Sequence, residues 1–213
     1  PEGARDIPTH GSICFHPSLL PLHRGPSSIN WPIIGGSTKT GLSIFYPNDG
    51  LDEGEILLQK EVDIAPDDTL GDVYFKKIFP LGLDACVEAA NLIESGNAPK
   101  TPQDDSKATY ESWCKKSDAR IDWKKPGNEI YNLIRGCNPQ PGAWAEFMGD
   151  EYTFYDSKFI DEQSAEHFPG QIISISAENV RIAVKGGFIE VSRFKSDQGK
   201  LFVKDMNTAV FTE

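Results

Sequence analysis

SICFHPSLLPLHRG (residues 12–25) and GLSIFYPNDGLDEGEILLQKEVDI (residues 41–64) are the stretches from which the fold is read. SICF is a short apolar run that ends at His16, and Pro17 pushes that histidine toward extended backbone and closes the strand. PSLLPLHRG, with two prolines, follows as a loop. GLSIFYP (41–47) alternates and is rich in β-forming residues, which predicts a strand. NDGLDEGE (48–55) is a tight, acidic, glycine-rich loop, and ILLQKEVDI (56–64) is the next strand. Open α/β sheets bind ligands at the ends of their strands. A histidine at one strand tip and an acid in the loop after the next strand can therefore meet across one crevice if the strands are neighbours. A carboxylate beside an imidazole fixes its tautomer and favours the protonated ring, which suits His16 and Asp52 to proton transfer near neutral pH. On spacing alone, the favoured reading of the same residues is a loop histidine closing a strand and an acidic turn facing solvent.

Working outward, residues 28–34 read as a short helix capped by Ser27 or Ser28. GGSTKT is a turn. Residues 65–97 carry helical periodicity with breaks expected near Pro80 and Gly82. Asp68 and Asp84 are the expected N-caps, and Gly96-Asn97 is the stop. Residues 97–110 are rich in Pro, Lys and Asp and read as a linker. A helix is expected after Asp122 with Pro126 in its first turn. AWAEFM, EYTFYDSKFI, GQIISISA, NVRIAVKG and GFIEVSRFK follow as short strands spaced by turn signals. The chain is thus expected to be α/β over 1–96, a linker over 97–118, and a small, mostly-β unit of OB-like barrel type over 119–213.

The charge narrows the functions. Lys plus Arg number 21 against 32 Asp plus Glu, a formal net charge of −11. Nucleic-acid binders gain affinity by releasing counterions from a basic face, and anionic membranes attract basic ones, so neither is an expected partner. The basic residues Lys115, Lys116, Lys124 and Lys125 read as a solvated face rather than a tRNA contact. Four cysteines, at 14, 86, 114 and 137, lack CxxC or zinc spacing, so free thiols and no metal are expected. There is no apolar run of membrane-spanning length and no signal peptide, which makes the cytosol the expected location. A first residue of Pro1 rather than Met suggests a chain that starts within a longer polypeptide with further domains.

The order of residues in the opening stretches resembles the folate-dependent formyltransferases. The elements that carry the resemblance are His16, Ser18, Leu19, Leu20, Pro21 and Gly25, followed by Gly50, Leu51, Asp52 and Gly54. The later KKSDARIDWKKPGNEIYNLIRGCNPQPGAW is also similar to the family's linker and C-terminal segment. INW, GLDEGEILLQKE and ATYE are most similar to the hydrolase branch, which acts on 10-formyltetrahydrofolate. The N-terminal part of the family's catalytic domain has no counterpart here, so the fold implied is the C-terminal half of a Rossmann-like formyltransferase domain followed by the β unit.

The resemblance implies that His16 and Asp52 act on the formyl group of a folate substrate, 10-formyltetrahydrofolate. It places the pterin ring along Asn48, Asp49, Gly50, Leu51 and Gly54, with Cys14 and Ser18 also at the substrate. Transferring members carry Asn where this chain has Cys14, and a thiol is a weak donor. That departure favours hydrolysis to tetrahydrofolate and formate over formyl transfer to methionyl-tRNA. Cys14 as a nucleophile competes with Cys14 as a small core residue. A fragment that binds folate without turning it over is the third reading. His23 reads as a loop residue, Arg24 as a contact for an anionic tail, His167 as a solvated loop residue, and Trp31, Trp123 and Trp144 as packing.

Overall fold

Two short apolar runs and one long alternating strand set up the first half of the chain. The computed structural model describes residues 2–5, 7–147, 149–162, 167–196 and 199–202. The chain divides into two units, Pro1–Pro32 with Ser37–Trp113, and Ile33–Gly36 with Cys114–Glu213.

After a helical turn, α1 (Glu2–Arg5), come β1 (Cys14–His16), α2 (Asn30–Ile34), β2 (Lys39–Phe45) and β3 (Ile56–Asp63). The strands form an antiparallel sheet in the order β1-β2-β3, with Cys14 opposite Phe45 and His16 opposite Ser43. β2 is buried on both faces, so its residues after Lys39 read as a continuous buried run. Leu42 and Ile44 pack with Leu57, Ala85 and Ala89 on one side. On the other, Phe45 packs with Leu20 and Ile56. There the Ser43 hydroxyl donates to the Ser18 carbonyl at 2.7 Å and accepts from the Leu20 amide at 3.1 Å, which satisfies a polar group buried beneath the loop.

The expected helix runs through α3 (Leu70–Asp72), a π-helical stretch (Val73–Ile78) and α4 (Phe79–Glu94). Pro80 falls at the start of α4, where a missing amide hydrogen is tolerated best. The π-turns ahead of it take up the irregularity, so the backbone continues where a break was expected. Thr69, not Asp68, is the N-cap: its Oγ accepts from Asp72 N at 3.1 Å, and Asp72 Oδ2 accepts from Thr69 N at 3.0 Å. Asp68 instead accepts from Ala65 N and pairs with Lys77. Asp84, expected to cap a second helix, lies within α4. Gly96, at φ 70°, closes α4 as expected, with Asn97 N donating to Leu92 O at 2.9 Å.

Residues 97–113 of the expected linker pack along the first unit. Thr101 exchanges both backbone hydrogen bonds with Ile56, and Thr109 O accepts from Arg24 N at 2.9 Å. Its composition is that of a linker, but its contacts are those of a strap.

The second unit holds α5 (Gly127–Gly136) and β4 (Ala143–Phe147), β5 (Asp150–Ile160), β6 (Ile172–Ile175), β7 (Val180–Val184), β8 (Gly187–Ser196) and β9 (Gly199–Phe202). The antiparallel order is β4-β5-β8-β7-β6, with β9 added on β8. β9 was not read from the sequence. Ile130 and Ile134 are the buried aliphatic positions of α5. Gly127 has no room for a Cβ, which would lie 2.3 Å from the Phe159 ring and 2.5 Å from Val184. Trp123, Phe154 and Phe194 pack edge to face beside a hollow of about 220 Å³. Trp144 donates to Lys116 O at 2.7 Å. Lys116 and Lys125 of the basic stretch pair with Glu151 and Glu129. All four cysteines are free thiols. The hydrogen bond shared by Cys114 and Cys137 lowers the Cys114 pKa and, with burial, raises that of Cys137.

Candidate active site

His16 is the last residue of β1, and β2 beside it leads into the 48–55 loop. The sheet thus brings His16 and Asp52 to one place, with His16 Nδ1 3.6 Å from Asp52 Oδ2. Both are largely buried, with side chains 9% and 20% exposed. His16 Nε2 lies 2.8 Å from the His23 carbonyl. A carbonyl only accepts, so that nitrogen carries hydrogen and, in the neutral ring, Nδ1 is the open base. The 3.6 Å separation exceeds a hydrogen bond and is too short for a water to lie between the two atoms, so a water in reach of both sits beside the pair.

Asp52 adopts a left-handed conformation, φ 57°. An aspartate there costs roughly 1 kcal/mol unless its surroundings hold it. They do: Asp52 Oδ2 accepts from Gly25 N at 2.8 Å, and the Asp52 carbonyl accepts from Gln103 Nε2 at 2.8 Å. Gly54 completes the turn because a Cβ there would sit 1.6 Å from Tyr46 O. Gly25, at φ 93°, likewise leaves no space for a Cβ, which would meet Glu111 O at 2.4 Å.

The other expected site residues divide in two. Asn48, Asp49, Gly50 and Leu51 are exposed at the loop tip. Asn48 Oδ1 accepts from Gly50 N at 3.1 Å, and Asp49 pairs with Arg5 at 2.7 Å. Two main-chain carbonyls of the loop, Asp52 and Gly54, already accept from Gln103. Ser18, by contrast, is fully buried and its hydroxyl donates to Leu22 O at 2.7 Å, so the contacts observed are those of a brace under the loop. Cys14 packs against Leu20, Phe45 and Ile56. Burial and then the Asp52 charge raise its pKa, which keeps it a neutral thiol and argues for the core reading over the nucleophile.

Arg24 corrects an expectation. It is 1% exposed and therefore cannot present its charge to a ligand tail. Its guanidinium donates to Gln103 Oε1, Asp105 Oδ1 and the Tyr110 hydroxyl, and Tyr110 donates to Glu53 at 2.7 Å. Burial works against its charge, and the bonds to Asp105 and Tyr110 outweigh that, so its pKa is raised. His23, at φ 58°, turns its ring to Glu111 at 3.0 Å while its carbonyl anchors His16. Gln103, Tyr110 and Glu111 were missed as neighbours of the site because they lie in the strap, 49 to 88 residues along the chain from the groups they hold. The ATYE match took in Tyr110 and Glu111 but not Gln103.

Two family descriptions match the chain: "Formyl transferase" over residues 2–80 and "Formyl transferase, C-terminal domain" over residues 114–207. The chain belongs to the formyl transferase family. It is 43% identical over 206 residues to the mitochondrial 10-formyltetrahydrofolate dehydrogenase of Mus musculus and 44% identical over 206 residues to the cytosolic enzyme of the same species. These alignments take in 97% and 94% of this chain but 22% of either relative, so the chain spans about a fifth of their length. Methionyl-tRNA formyltransferase of Syntrophus aciditrophicus is 36% identical over 200 residues, covering 94% of this chain and 64% of that protein. Among solved structures, HypX from Aquifex aeolicus in complex with tetrahydrofolic acid shares the fold with a TM-score of 0.73 at 19% identity, over 90% of this chain and 34% of that one. The N-formyltransferase of Helicobacter canadensis, crystallised with folinic acid and dTDP-3-aminofucose, gives 0.69 at 21%, over 89% and 66%.

Proposed function

We propose that this formyl transferase family chain is the hydrolase module of a 10-formyltetrahydrofolate dehydrogenase-like protein, converting 10-formyltetrahydrofolate and water to tetrahydrofolate and formate. The observation that carries the reading is the convergence of His16 Nδ1 and Asp52 Oδ2 at 3.6 Å, both largely buried at the tip of one sheet. A water seated beside that pair, within hydrogen-bond reach of both atoms, has two proton acceptors. As its oxygen adds to the formyl carbon, the proton passes to Asp52 or His16. The carbon–nitrogen bond then breaks, its electron pair stays on the folate nitrogen, and that nitrogen takes the proton back. Cys14 in the place of an amide donor favours water over a second substrate as the acceptor.

The relatives named for the cytosol and for the mitochondrion match this chain about equally, at 44% and 43%, so the expected cytosolic location is one of two compartments its relatives use. The likeness to methionyl-tRNA formyltransferase supports transfer as the second reading. Against it stand the net charge of −11 and the pairing of Lys116 and Lys125 with glutamates.

In the full-length protein that carries this chain, His16→Ala and Asp52→Asn are each expected to lower formate release by about 10²- to 10⁴-fold with folding unchanged. Undiminished release in either variant would sink the hydrolase reading. Formylation of methionyl-tRNA with binding that weakens steeply as salt rises would replace it with the transferase.

A further inference from the structure

Gln103 uses its whole carboxamide. Its Oε1 accepts from Arg24 Nε at 3.1 Å and Nη2 at 2.8 Å, and its Nε2 donates to the carbonyls of Asp52 at 2.8 Å and Gly54 at 2.7 Å. The orientation of the amide is forced, because a guanidinium can only donate and a carbonyl can only accept. The two carbonyls it grips flank Glu53, so the grip spans the turn that carries Asp52. The turn is otherwise held by the Gly25 amide on the Asp52 carboxylate and by Gly54, whose lack of a Cβ lets the backbone pass Tyr46. Arg24 in turn is sealed from solvent and adjoins Gly25 in sequence. One side chain of the strap therefore ties the loop that bears the acid to the loop whose Gly25 amide and His23 carbonyl hold the acid and the imidazole.

We propose that Gln103 is a positioning residue for the His16–Asp52 pair: it fixes the left-handed turn of Asp52 from behind and so sets the distance between the carboxylate and the ring. The proposal rests on the assignment of Asp52 as the partner of His16. Glutamate tests it most sharply, since it keeps the shape and an acceptor for Arg24 but loses both donors to the carbonyls. Gln103→Glu is expected to leave the buried cation paired and to release the turn.

The experiment compares the full-length protein with Gln103→Glu and Gln103→Met. Formate release is followed over pH, together with the NMR titration and tautomer signals of the His16 ring, which do not depend on turnover. Displacement by about 1 Å costs on the order of 10²-fold in rate, so Gln103→Glu is expected to lose about 10- to 100-fold in kcat with a smaller change in KM. Gln103→Met, which also lacks the donors to the two carbonyls, should show a loss of similar size. The His16 signals should shift in both variants. If both keep the wild-type kcat, pH profile and His16 signals, the proposal is overturned. A wild-type protein that releases no formate would overturn the hydrolase reading instead, and shifted His16 signals in the two variants would still support the coupling. If Gln103→Glu does not fold, Gln103→Met decides by the same kcat and His16 readouts.

Discussion

The two units hold their polar groups in order by different means. In the second, the backbone does it: β4, β5, β8, β7 and β6 pair in one antiparallel ladder over an aromatic cluster. In the first, a three-stranded sheet carries the site, but side chains finish it. Arg24 reaches Gln103, Asp105 and Tyr110, 79 to 86 residues away in sequence, and Gln103 reaches back to Asp52 and Gly54. A ladder tolerates change because each rung is one of many. A hub of charge-assisted bonds around one buried guanidinium concentrates its dependence on a single residue.

The sharpest way to break that contrast is Arg24→Met. Removing the buried cation leaves Gln103 and Tyr110 without their donor, while the exposed Asp105 carboxylate returns to water, and urea denaturation should show a loss of about 1.5–3 kcal/mol. A loss under 1 kcal/mol would mean the hub is no more critical than a ladder rung. The second unit's most sensitive point is apolar. Gly127→Ala forces a methyl against Phe159 and Val184 and should cost about 1–3 kcal/mol in the same measurement.

Thr69→Ala removes one half of the reciprocal cap at α3 and should cost about 1 kcal/mol. Burial opposes the Asp72 charge, but hydrogen bonds from Lys76 and Thr69 outweigh it and hold the carboxyl at about 2, below its usual 3.8. A depressed pKa stabilises the fold above the unfolded value and loses that contribution as the pH falls through the folded one. Thermal unfolding should therefore show the effect of Thr69→Ala undiminished above pH 4 and shrinking from there toward pH 2. The smallest effect is expected for Lys116→Ala. Its exposed pair with Glu151 should change stability by less than about 0.5 kcal/mol, within the scatter of surface pairs.

The same contrast explains what the sequence disclosed. Alternation is a local property, so the three strands around the site and β4 to β8 were all legible, as was α5 from Pro126 and its apolar spacing. His16 and Asp52 stood out because a proline and a glycine-rich loop punctuate them. Thr69 lost out to Asp68 on paper because adjacent residues of similar capping strength differ only in which one the preceding turn recruits. The strap was read as a linker because prolines, lysines and aspartates compose both. What separates them is a partner some eighty residues away, which no local pattern reports. Arg24 was read as a ligand contact because residue type says nothing of burial, and it turns inward.

The carbonyl of His23 leaves the imidazole of His16 one working nitrogen. An anchored N–H has no reason to give up its hydrogen to a ketone-like oxygen, so whatever hydrogen the ring trades must cross at the opposite vertex. The ring behaves as a single-port exchanger, filled and emptied through the side that looks at Asp52, and a hydrogen isotope entering by that port has to leave by it.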